Sequence, residues 1–214
     1  MIVDTMTFEE ACMEVNKELL RIKPKMKATI GSKVKAYRKT IASIPNKKII
    51  FKTLEFKMYN ITFYVVPFIN SKKEFMKGEL PNFIFAKFYY KSSIYYAIQM
   101  TDSLNIFTKH FFERYIERHL KLEDCSVTAD IVKNFCLDNI DTGCVLADIL
   151  NTKYKNCIYL SFKDGMGCGN IINNKLVVLK TYIENETVHN GVKREFMDGT
   201  PNASKLLRAL ANAS

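Results

Sequence analysis

The sequence predicts an α+β fold with N-terminal helices, a mostly antiparallel sheet, and a histidine-bearing helix packed on that sheet. Three observations lead there. Apolar residues recur at helical spacing behind Thr7; residues 48–100 turn to runs rich in Ile, Phe, Val, Thr and Tyr; and Phe107 to Lys121, FTKHFFERYIERHLK, is amphipathic with a helical period. Strands and helices do not alternate in the rhythm that a parallel doubly wound sheet needs. With 214 residues and 48% hydrophobic content the chain can bury a core. A single domain over 1–214 is expected, the alternative being a helical and β-hairpin part over 1–101 and a second part over 102–214.

Phe8, Ala11, Cys12, Val15, Leu19 and Ile22 share one helical face behind Thr7, a capping residue, and Glu9 and Glu10 fall in the first turn, where the helix dipole favours acids. Pro24 is expected to end this helix. Lys25 to Ser43 then forms a second one, basic through Lys25, Lys27, Lys33, Lys35, Arg38 and Lys39, with Gly31 as a point of bending or breakage and a turn at Pro45 and Asn46. Four strands follow, over Ile49–Lys57, Tyr59–Phe68, Asn82–Lys91 and Ser93–Met100. Met58–Asn60 and Lys91–Ser93 suit hairpins, and Asn70–Leu80 a surface loop. Tyr89, Tyr90, Tyr95 and Tyr96 cluster near one hairpin, where sheet packing is favoured over stacking on bases.

Thr101–Asn105 supplies turn and capping residues ahead of the His110 helix. Val127–Leu137 and Thr142–Leu150 are expected as helices, Asn156–Lys163 and Lys175–Glu184 as strands, and Asn202–Ala211 as a closing helix. Asp164–Gly169, DGMGCG, is expected to be a hairpin turn, because glycines accept positive φ and the spacing fits neither GxGxxG nor a P-loop.

The net charge of +10 and pI near 9.2 attract polyanions and make nucleic acid the first partner to consider. Lysines scattered by an AT-rich genome give the same composition without any binding role. The six cysteines show neither CxxC pairs nor regular histidine spacing, so free thiols are expected in place of disulfides or a zinc site. No cofactor is implied. Without a basic-then-apolar leader or a long apolar run, the expectation is a soluble cytoplasmic protein with no membrane partner.

At ~100° per residue, His110, Arg114, Arg118 and Lys121 fall within an arc of roughly 80°, opposite Phe111, Phe112, Tyr115, Ile116 and Leu120. Such an edge is commonly just a solvated face with Glu113 and Glu117 as ion-pair partners. It also suits a phosphate. The pattern His-x-x-x-Arg-x-x-x-Arg, with the glycine-rich segment and a strand ending Leu179-Lys180-Thr181-Tyr182-Ile183, resembles the barnase-EndoU-colicin-RelE-like endoribonucleases of phage and mobile-element type, over about Phe107 to Ile183.

That resemblance implies RNA cleavage without a metal, with His110, Arg114 and Thr181 as catalytic residues and Arg118, Lys121 and Lys180 as phosphate ligands. The partners it implies are RNA and, for a toxin or effector, an antitoxin or other acidic protein. The chemistry asks for a base at the 2′-hydroxyl, an acid at the leaving 5′-oxygen, and cations around the phosphorane. An imidazole can serve as either base or acid near neutral pH. His119 and His189 are weaker candidates for a second proton-transfer group. The competing function is a non-catalytic basic protein that binds nucleic acid or another acidic partner.

Overall fold

The computed structural model describes residues 1–43, 48–76, 82–100, 103–123, 125–139, 144–147, 157–172 and 176–184. The architecture is α+β with mostly antiparallel strands, and the chain divides into two compact units, Met1–Ile106 and Phe107–Ser214. No helix among the described residues is long and apolar enough to cross a membrane.

The first unit opens with one 36-residue helix, α1, Phe8–Ser43. Its start is a reciprocal cap: Thr7 Oγ1 accepts from the Glu10 backbone N–H at 3.2 Å, and Glu10 Oε2 accepts from the Thr7 N–H at 2.7 Å. The Thr7 N–H holds the Glu10 carboxyl below its ordinary pKa. Two helices broken at Pro24 were expected, yet α1 runs through it. Proline removes one backbone bond and costs ~3 kcal/mol in a helix interior. Here the buried stripe Val15, Leu19, Ile22, Met26 and Ile30 continues across the break, while Pro24 and Leu20 face outward. Burial of five large side chains at ~1.5–3 kcal/mol each outweighs the loss. Gly31 is exposed and does not end the helix either.

The expected strand over Ile49–Lys57 is two strands, β1 (Ile49–Ile50) and β2 (Leu54–Met58), which share one edge of β3 (Ile61–Ile69). β4 (Asn82–Tyr90) lies on the other edge of β3 and continues into β5 (Ser93–Met100), all antiparallel. The β4–β5 hairpin turns through Lys91 at φ 45° and Ser92 at φ 64°, a two-residue connection whose twist matches that of the strands. The loop expected after Ile69 contains a short helix, α2 (Lys72–Met76), whose Phe75 is buried with Ile41 and Ile69.

Helix α1 lies against β3 and β4. Phe8 packs on Tyr95 and Tyr90 at 4.8 and 5.5 Å between centroids, Tyr96 is buried, and the Tyr90 hydroxyl donates to the Met6 carbonyl at 3.0 Å. The tyrosine cluster therefore belongs to the packing, with Tyr89 the exposed member. Residues expected as a turn and cap form β6 (Ser103–Thr108), whose Ile106 and Phe107 are fully buried, and the division between the units falls within this strand.

In the second unit, α3 (Lys109–Tyr115) passes without a break into a π-helical turn, Ile116–Leu120, and α4 follows at Ala129–Asn139. β7 (Cys144–Ala147), β8 (Cys157–Phe162), β9 (Gly165–Ile172) and β10 (Leu176–Glu184) form an antiparallel meander. Two expectations fail here. The helix over Thr142–Leu150 is replaced by β7 at its centre, a short apolar run for which periodicity does not separate strand from buried helix.

DGMGCG is a turn only at Asp164, which with Lys163 makes the two-residue connection from β8 to β9; from Gly165 onward it is strand β9, and its glycines answer a demand for space. A Cβ at Gly165 would lie 2.2 Å from the Tyr182 hydroxyl oxygen, at Gly167 2.8 Å from Phe162 Cε2, and at Gly169 1.9 Å from the Val178 carbonyl oxygen. The expected turn at Pro45 and Asn46, the segment holding His189, and the helix at Asn202–Ala211 lie outside the described residues.

Candidate functional site

The site region grows from an aromatic nucleus of the second unit. Phe107, Phe111, Phe112, Phe135 and Phe162 are buried and meet mostly edge to face, with Phe107–Phe111 and Phe135–Phe162 centroids 4.9 Å apart. Phe111 and Tyr115 carry the same contact onto β10 through Tyr182, at 5.8 and 5.3 Å. This fixes which side of the helix faces solvent.

Three bonds then lace the helical segment along β10. Thr108, the N-cap of α3, accepts from the Phe111 N–H at 3.1 Å and donates its own proton to the Lys180 carbonyl at 3.0 Å. Arg118 Nη1 donates to the Tyr182 carbonyl at 2.7 Å, and Lys121 Nζ reaches both carboxylate oxygens of Glu184 at 2.9 and 3.0 Å. Lys180 is the extra residue of a bulge between Leu179 and Thr181, and its side chain is exposed. His110, whose side chain is 54% exposed, thus stands in the helical turn seated on the Lys180 bulge.

The other expected site residues are placed differently. Arg114 bonds Glu117, and Glu113 stands between Lys109 at 2.7 Å and His110 Nδ1 at 3.7 Å. The cationic edge is therefore largely balanced by its own acids. The single stripe assumed a constant angular step; the wider π turn changes that step before Arg118, which becomes a brace on β10. Thr181 pairs with Cys168, and by strand alternation it lies on the face of β10 opposite Tyr182, away from the side on which the helix packs. The structure ties Thr108, two residues before His110, to the Lys180 carbonyl, and sets Thr181 on the face of β10 away from the helix.

A second constellation lies at the far end of the same helical segment. His119 Nε2 is 3.8 Å from Asp164 Oδ2, and its ring stacks on Tyr115 at 5.1 Å. The Tyr182 hydroxyl is buried without a hydrogen-bond partner among the described residues, and burial drives its pKa upward; burial also pushes Tyr115 up to about 12. Sequence reasoning placed His119 in the packing and Asp164 in a turn. Only the strand that begins at Gly165 brings Asp164 back to the helix, so no local pattern joined the two. Comparison of the chain with protein-family models, with curated proteins and with solved structures gives no match.

Proposed function

We propose that the second unit acts on RNA as a metal-independent endoribonuclease, with His110 as its proton-transfer residue and Lys180 and Arg114 as phosphate-binding cations. The observation that supports this reading is the two-way bond of Thr108, which seats the His110 turn on the Lys180 bulge. His110 takes the proton of a ribose 2′-hydroxyl, the 2′-oxygen attacks phosphorus, and the 5′-oxygen leaves with a proton from solvent. The products are a 2′,3′-cyclic phosphate and a 5′-hydroxyl. Arg114 engages the phosphate by exchanging Glu117 for it, a small loss because exposed ion pairs are worth only ~0–1 kcal/mol. His119 lies nine positions on, ~13 Å along the axis, too far to serve the same phosphate.

The test is cleavage of a single-stranded RNA by the whole chain, with a DNA of the same sequence as control. The reading expects EDTA-insensitive cleavage of RNA alone, cyclic-phosphate ends, and loss of cleavage in His110→Ala with an unchanged circular dichroism spectrum. Cleavage that survives His110→Ala would overturn it. If His119→Ala and Asp164→Asn alone abolish cleavage, the active centre is at the other end of the helix.

A second reading, a non-catalytic basic protein that binds nucleic acid or an acidic protein partner such as an antitoxin, is favoured by one observation: Arg114, Arg118 and Lys121 already hold partners within the second unit. It expects binding without cleavage.

A further inference from the structure

Leu19 to Leu54 contains eleven Lys and Arg and no Asp or Glu. The other 178 residues hold 21 Lys and Arg against all 22 acids, so the entire +10 excess resides in this one stretch. Base composition that favours lysine codons scatters charge; it does not clear acids from a run bounded by Glu18 and Glu55. Leu19 to Ser43 of the stretch lies in α1, and its inward stripe is already filled by Ile22, Met26, Ile30 and Ile41.

We infer that this part of α1 is a docking face for a nucleic-acid phosphate backbone, one that does not read sequence. Lys25, Lys27 and Arg38 are exposed and Lys23 and Lys33 half-exposed; among the described residues none of the five forms a salt bridge. Their charge is available to a ligand, in contrast with the paired cations of the His110 helix. From Lys23 to Arg38 the face is ~22 Å long, enough to follow several phosphates spaced ~3.4 Å apart along a duplex strand.

One feature separates a nucleic acid from an anionic membrane. An interfacial helix needs apolar side chains to insert beside its cations. Among the described residues, the large exposed apolar side chains of α1 are Met13 and Leu20, and none lies between Arg21 and Arg38. The one aromatic residue in this part of α1, Tyr37, stacks on Phe51 at 4.0 Å and is not offered to a base. Phosphate contact without base stacking gives binding that tolerates any sequence and weakens with salt.

This inference does not require the second unit to cleave RNA, and its experiment is kept independent of cleavage. Binding of the full chain to a 2′-O-methyl RNA oligonucleotide, which lacks the 2′-hydroxyl nucleophile, is measured by fluorescence anisotropy across a salt series. The quadruple variant Lys23→Gln, Lys25→Gln, Lys27→Gln, Arg38→Gln should bind at least tenfold more weakly at low salt, with the log–log salt slope reduced by about three at ~0.7 per lost contact. A control of equal charge change, Lys17→Gln, Lys57→Gln, Lys73→Gln, Lys91→Gln, should move both quantities far less. Equal losses in the two variants would mean diffuse attraction and overturn the assignment. So would absence of binding by the unaltered chain, or a variant that loses affinity for phosphatidylserine vesicles while keeping it for the oligonucleotide.

Discussion

At the scale of single residues, the glycines divide by environment. Gly167 faces Phe162, Phe111 and Leu179, with its missing methyl position 2.8 Å from the first of these. Rigid aromatic neighbours cannot yield at little cost, so Gly167→Ala should destabilise by about 1–3 kcal/mol in urea denaturation. Gly31 has no atom within 4 Å of that position and sits inside α1. Gly31→Ala should stabilise by up to ~1 kcal/mol through the unfolded chain's lost freedom. The cysteines divide similarly. Cys125 is exposed, whereas Cys12 and Cys136 are buried and burial raises both thiols. Iodoacetamide on the native protein should modify Cys125 long before either, as read by peptide mass spectrometry; early modification of Cys136 would contradict the packing around α4.

At the scale of elements, the helical segment beside β10 depends on side-chain bonds to main-chain carbonyls. A seven-residue α-helix has little stability of its own, and the aromatic face plus these ties hold it. Thr108→Val keeps the shape and removes both the cap and the bond to the Lys180 carbonyl. A loss of about 1–2 kcal/mol is expected by thermal or urea unfolding, with faster amide exchange at Phe111. A variant as stable as the parent would show that the tie is dispensable. The π turn has a parallel role, because it delivers Arg118 to the Tyr182 carbonyl and lets the chain reverse at Lys121, whose φ is 53°.

For the whole molecule, alkaline pH is the condition to which the buried acids respond. Cys12 is pushed from the ordinary 9.0 to about 12 and Tyr115 from 10.0 to about 12, both chiefly by burial. The unfolded chain therefore loses these protons first. Their contribution is complete below pH 9 and falls away as pH rises from 9 towards 12. Unfolding free energy should decline between pH 9 and 12, and Cys12→Ala should flatten part of that decline. A profile that stays level would mean these groups are wetter in solution than their packing implies.

Local patterns in the chain were enough for the α+β class, the apolar face of α1 from Phe8 to Ile22, the β2–β3 and β4–β5 hairpins and a helix carrying His110, because each rests on periodicity or turn chemistry within a few residues. The sequence also held the acid-free basic run. Tertiary structure decided what local rules leave open. Continuous burial carried α1 through Pro24; aromatic bulk opposite Gly165 and Gly167 made a strand of what glycine content alone reads as a turn; and a short apolar run became β7 beside β8. It decided the site as well. A helix edge read at constant pitch gathers His110, Arg114, Arg118 and Lys121 into one stripe, but the π turn and the register of β10 assign them separate partners and set Thr181 on the other face. Periodicity tells which side of an element is buried; which partner meets each outward residue depends on strands that are distant in sequence.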